Sequence, residues 1–215
     1  MTRTIKLFVV AILSIFAIGV TGIALATDYG FNETNPAVIE KHTKSALTEW
    51  VLENAHTKLT NDKANAIVNT AYKYAQEHSI DPVLILSIIH NESGFRENVT
   101  SAHGAKGLMQ VMPRWHKDKL RGRSPYSAAV SIEVGTMIIN DCLDKFNNVT
   151  AKALNCYSGG GGKKYQTKIA LSHKKMRNHL VEYLFQNQLP VYSTNNFQQP
   201  RLLHETTKVL LAAVQ

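Results

Sequence analysis

One short stretch constrains this 215-residue chain more than any other. Residues 83 to 89 read Val83, Leu84, Ile85, Leu86, Ser87, Ile88 and Ile89, with no charge among them. Asp81 can cap a helix ahead of them, and Pro82 suits its first turn. A helix that is apolar nearly all round offers no face to water, so it must be buried. Gly94 stops it, because glycine enters the left-handed conformation that ends helices. The helix therefore delivers one carboxylate, Glu92, at its C-terminal end. Apolar surroundings disfavour the charged form there, and so does the negative end of the helix dipole. A carboxyl held protonated near neutral pH suits general-acid chemistry.

Two further segments stand in order behind Glu92 and Ser93. The first is Gly104, Ala105, Lys106, Gly107, Leu108, Met109 and Gln110, with Met112 and Pro113 two residues on. The second is Ala153, Leu154, Asn155, Cys156, Tyr157, Ser158, Gly159 and Gly160. Together the three motifs resemble the lytic transglycosylases of the soluble, goose-lysozyme-like branch. The resemblance covers roughly residues 62 to 165. It implies an α+β, mainly α, lysozyme-like domain that cleaves peptidoglycan between N-acetylmuramic acid and N-acetylglucosamine without hydrolysis, leaving a 1,6-anhydro product. It needs no cofactor and no metal. A true goose-type lysozyme (a hydrolase) and a wall-binding component of a secretion or phage apparatus are the alternatives. Where the family usually has Asn after the tyrosine of its third motif, this chain has Ser158, and four glycines follow.

By that resemblance Glu92 is the catalytic acid and base, and Ser93 caps or orients its carboxylate. Gly104 and Gly107 let the backbone turn and approach a sugar. Met109 meets a sugar face and Gln110 bonds its polar groups. Tyr157 is the tyrosine whose hydroxyl reaches the catalytic carboxyl. Core packing for Met109, a merely satisfied hydroxyl for Tyr157 and plain helix termination for Ser93 are the competing readings. Ordinary glycosidases pair two carboxylates. Glu97, Asp118, Glu133, Asp141 and Asp144 are available by inventory, but none sits in a motif. His90-Asn91-Glu92 imitates the start of a zinc deaminase motif, yet no Pro-Cys-x-x-Cys follows. The nine histidines show no ligand spacing.

The chain suits one domain with extensions. Residues 1–26 read as a signal peptide or membrane anchor: Arg3 and Lys6 precede an uncharged run from 7 to 26 that ends Ala24, Leu25, Ala26. Residues 27–61 read as an N-terminal helical extension, 62–165 as the lysozyme-like domain, and 166–215 as a basic C-terminal helical extension. Helices are expected near 62–78, 127–146, 150–157, 174–188 and 201–213, with a loop and at most a short hairpin over 94–112. A flexible break is expected at the glycine run.

The formal charge of +8 falls to +6 once Arg3 and Lys6 are set aside. A basic exported protein is drawn to anionic envelope polymers or lipid, while nucleic acid is disfavoured for lack of any recognition motif. The expected location is the periplasm or envelope. The expected partners are peptidoglycan strands and a secretion, conjugation or phage apparatus, with membrane anchoring through 7–26. Cys142 and Cys156 lie symmetrically about a turn at 147 to 150, so a disulfide and two buried thiols are both open.

Overall fold

The computed structural model describes residues 35 to 189. The segment read as a signal or anchor and the helix expected at 201–213 lie outside the described residues. Seven helices occur among those described: α1 Pro36–Asn54, α2 Asn61–Glu77, α3 Pro82–Ser93, α4 Lys117–Leu120, α5 Ala128–Lys145, α6 Thr150–Tyr157 and α7 Gly162–Gln186. The β content of this part is two isolated bridges, Thr100 to Lys106 and Lys106 to Val111. They fold residues 100 to 111 back on themselves, so the expected small β element is thinner than a hairpin. None of the described helices is long and apolar enough to cross a membrane.

The apolar run becomes α3, and both of its ends form as the residues dictate. The Asp81 carboxylate accepts the Val83 amide hydrogen at 2.8 Å, and Gly94 closes the helix at φ 58°. A β-carbon at Gly94 would also sit 2.3 Å from the His56 ring, so glycine is required twice over. Every residue from 82 to 89 is buried. At roughly 1.5–3 kcal/mol for each large aliphatic side chain taken from water, this helix anchors the core. Ser87 is tolerated inside because its hydroxyl bonds back to the Val83 carbonyl at 2.6 Å.

Around α3 the core collects Leu47, Trp50 and Val51 of α1, Ile67, Val68 and Ala71 of α2, Ile132 and Ile139 of α5, and Ile169 and Met176 of α7. Two expected boundaries change as a result. Helix α1, read as an extension, contributes to the central cluster. The boundary drawn at 165 falls inside α7, which runs unbroken from Gly162 rather than starting near 174. Its Leu180 and Leu184 pack on Ile39 and Ala46 of α1. The lysine-rich sequence concealed this helix, because its apolar residues form a narrow stripe between exposed cations.

The glycine run is a bonded turn and not a loose break. The Gly160 amide donates to the Asn155 carbonyl at 2.9 Å, Gly161 N–H to Ser158 Oγ at 2.9 Å and Gly162 N–H to Asn155 Oδ1 at 2.9 Å. Ser158, the departure from the family pattern, therefore helps to hold the turn that launches α7.

Cys142 of α5 and Cys156 of α6 form a disulfide with Cα atoms 5.9 Å apart. Closing a loop of 14 residues restricts the unfolded chain, worth about 3 kcal/mol at this length. Urea denaturation with and without reductant is expected to show a loss of that order, and a Cys142→Ala/Cys156→Ala variant should match the reduced protein.

Candidate functional site

Glu92 stands in the last turn of α3, half-buried, and opens into a groove of about 700 Å³. The loop residues Gln110, Met112 and Trp115 form one part of the groove lining, and Tyr157 and Tyr165 another. No other carboxylate lines this groove among the described residues. The other acids named by inventory are engaged elsewhere or lie away from it. Glu133 pairs with Arg123 at 2.6 Å, Asp141 with Lys119 at 2.8 Å, and Asp144 accepts from Asn140 at 3.0 Å.

The hydroxyl that meets the carboxyl belongs to Tyr165, not Tyr157. Tyr165 Oη donates to Glu92 Oε1 at 2.6 Å. Tyr157 Oη donates instead to the Met109 carbonyl at 2.7 Å, tying α6 to the turn that carries Gln110. Sequence reading missed Tyr165 because it lies outside the three motifs, at the very end of the span read as the lysozyme-like domain. The periodic apolar residues Ile169, Met176 and Leu180 were the available signal that a buried helix begins there.

Three more expectations change. The Ser93 hydroxyl is buried and bonds the Ile89 carbonyl at 3.1 Å, so it ends the helix and does not orient the carboxylate. Met109 is fully buried and packs where a β-carbon at Gly135 would collide with its sulfur at 2.5 Å. It is core and not groove floor. Gly107 has φ 77°, and a β-carbon there would lie 1.9 Å from the Pro125 carbonyl oxygen. Its close approach is to the protein's own backbone rather than to a sugar. Gln110 does line the groove, in a left-handed conformation at φ 48°. Its side-chain amide donates to the Gly107 carbonyl at 3.0 Å and, more weakly, to that of Val99 at 3.3 Å.

Helix α7 is fastened to α3 at both ends. His173 Nε2 lies 2.9 Å from Asp81 Oδ2, both side chains buried. Ser172 Oγ lies 2.9 Å from His90 Nδ1 and accepts from Asn91 Nδ2 at 2.7 Å. Burial pushes the Asp81 carboxyl upward, but the His173 hydrogen bond and the charges of His173 and Arg177 outweigh it and hold the group below its ordinary range.

At Glu92 the balance goes the other way. Burial pushes the carboxyl above its ordinary value, and the Tyr165 hydrogen bond recovers only part of the shift. Tyr165 and Tyr157 are both pushed up, first by burial and then by the Glu92 charge, so their hydroxyls keep their protons at any ordinary pH. The arrangement is one desolvated acid, one fixed donor and a sugar-sized groove. No cluster of three or more metal-binding side chains exists among the described residues.

The profile of the transglycosylase SLT domain matches residues 69–180, just over half of the chain. The chain belongs to that family. It is similar to a transglycosylase of Enterobacteria phage PRD1, 33% identical over 84 residues, which are 39% of this chain and 31% of that protein. It is also similar to the membrane-bound lytic murein transglycosylase C of Actinobacillus pleuropneumoniae serotype 5b (strain L20), 31% identical over an alignment of 107 residues that covers 42% of this chain and 29% of that protein. The serotype 3 protein (strain JL03) gives the same figures. The chain thus spans under a third of the length of these relatives. The SLT match reaches Leu180 and takes in Glu92, both groove tyrosines and most of α7, while α1 lies outside it.

A group whose folded pKa is raised stabilises the fold only while protonated, and that contribution fades as pH rises through the folded value. Glu92→Gln should therefore raise the melting temperature at pH 7 and leave it unchanged below the ordinary carboxyl value of 4.5. Tyr165→Phe removes the bond that favours the charged carboxylate, so carboxyl carbon NMR should show Glu92 titrating at still higher pH.

Proposed function

We propose that this protein is a peptidoglycan lytic transglycosylase with Glu92 as its single acid and base. The reading is carried by one observation: among the described residues, the one carboxyl lining the groove is desolvated and held by a tyrosine hydroxyl. In its protonated form Glu92 donates to the glycosidic oxygen between N-acetylmuramic acid and N-acetylglucosamine. The substrate's own acetamido oxygen supports the oxocarbenium-like centre at C1. The glutamate so formed takes the proton of the muramic acid C6 hydroxyl, whose oxygen bonds to C1. The bond to the leaving sugar is broken, a 1,6-anhydro ring is formed, and no water is consumed.

Tyr165 positions the carboxyl, while Tyr157 and Gln110 shape the groove wall. Ser93, Gly107 and Met109 serve the frame. That Glu92 is the one groove carboxylate among the described residues supports this reading over a two-carboxylate hydrolase. We further propose an exported, envelope-associated protein, with residues 1–26 as signal or anchor. The disulfide supports an oxidising compartment. The similarity to the phage PRD1 transglycosylase favours a phage setting among the candidate apparatus partners.

Digestion of purified sacculi by the full chain, followed by mass measurement, tests the reaction. Anhydro-muramyl ends are expected from the wild type, and cleavage by Glu92→Gln is expected to fall by at least two orders of magnitude, within the range of general acid catalysis. Reducing ends in place of anhydro ends would make the protein a lysozyme.

A further inference from the structure

Trp115 is 68% exposed, although it is the larger kind of side chain whose burial stabilises most. Its backbone is nevertheless fixed. The amides of Trp115 and His116 both donate to the Met112 carbonyl, at 3.0 and 3.2 Å. The indole lines the same groove as Glu92. Phe185 is equally exposed at 70% but lies on α7 outside the groove, so exposure alone does not single out Trp115. The Arg114 guanidinium sits 5.2 Å from the centre of the indole. Arg114 also lines the groove, with His103 and His116, and Glu92 is the one carboxylate on that lining among the described residues.

We propose that Trp115 and Arg114 form a subsite for a carboxylate-bearing amino-sugar strand. This rests on the reading of the groove as a glycan site. An exposed aromatic face on a fixed backbone in a wet groove offers stacking to the apolar face of a pyranose ring. The Arg114 guanidinium over the indole favours one placement of the ring, which reduces the rotamer freedom lost on binding. The guanidinium is a planar fork suited to a carboxylate, and it is always charged. A muramic-acid strand supplies that carboxylate from the lactyl ether or, where peptides are attached, from the peptide stem. A neutral N-acetylglucosamine oligomer supplies neither. The subsite therefore separates two functions: Trp115 binds any amino-sugar strand, and Arg114 selects the anionic ones.

The full chain is compared with Trp115→Ala, Trp115→Phe and Arg114→Gln on three ligands: peptide-bearing strands, strands stripped of peptide by an amidase, and the neutral N-acetylglucosamine tetramer. Trp115→Ala is expected to raise KM on the order of tenfold with kcat little changed, consistent with loss of one aromatic contact. Trp115→Phe should recover most of it, and the melting temperature should not move. Arg114→Gln should weaken binding of the charged strands and leave the tetramer unaffected. A loss on the stripped strand alone assigns the lactyl carboxylate, which is free only there, a loss on the peptide-bearing strand alone assigns the stem, and a loss on both assigns either carboxylate to the same guanidinium.

Binding is read separately in the Glu92→Gln background through tryptophan emission, since Trp50, the other tryptophan, is buried. A blue shift with the tetramer is expected, and it disappears when Trp115 is also replaced. An unchanged KM for Trp115→Ala, or no emission change on saturation, overturns the stacking role. An equal loss on neutral and charged ligands for Arg114→Gln overturns the selectivity. If the wild type cleaves no strand at all, the transglycosylase reading fails, while the emission titration still decides the subsite.

Discussion

Where α7 packs against the C-terminal end of α3, the Tyr165 hydroxyl meets the Glu92 carboxyl at 2.6 Å in a half-buried setting. The chemistry proposed for the groove depends on that meeting. Desolvation alone would raise the carboxyl's proton affinity without fixing where the proton points. The hydroxyl supplies a direction and limits the shift. Neither helix achieves this by itself. Residues 172 and 173 of α7 bind both ends of α3, through His90 and Asn91 at one and Asp81 at the other. The Asp81 side chain caps α3 and accepts the His173 contact at once, so the start of the acid-bearing helix and the placement of α7 are set by the same carboxylate.

The opposite side of the groove is assembled by different means. The disulfide ties α6 to α5, and Tyr157 carries that constraint to the Met109 carbonyl. Met109 is locked into the core against Gly135, and Gly107 against Pro125. Gly107, Leu108 and Met109 of the second motif are therefore occupied with internal packing, while Gln110 stands in a strained left-handed conformation at the groove. A motif that reads as a substrate-binding signature thus divides its residues between internal packing and the groove lining, where Ala105, Gln110 and Met112 stand. The bonded glycine turn after Ser158 completes the frame by starting α7 in the register that places Tyr165 over Glu92.

The amino-acid sequence by itself determined the buried helix, its caps and the acid at its end. These are local matters: an apolar run must leave water, Asp81 and Gly94 suit the two ends, and Glu92, two positions ahead of the glycine, is carried by the helix into a half-buried setting. The helices at 128–145 and 150–157 and the family resemblance were legible for the same reason, since periodicity and motif order survive in one dimension. What only the tertiary structure decided was which hydroxyl faces Glu92 and which motif residues face the groove. Tyr157 and Tyr165 are eight positions apart, and nothing local distinguishes a hydroxyl that meets a carbonyl from one that meets a carboxyl. That choice is made by the packing of α7 on α3, between residues 73 apart in the chain. Met109 and Gly107 likewise owe their burial to α5 and Pro125, partners that spacing does not reveal.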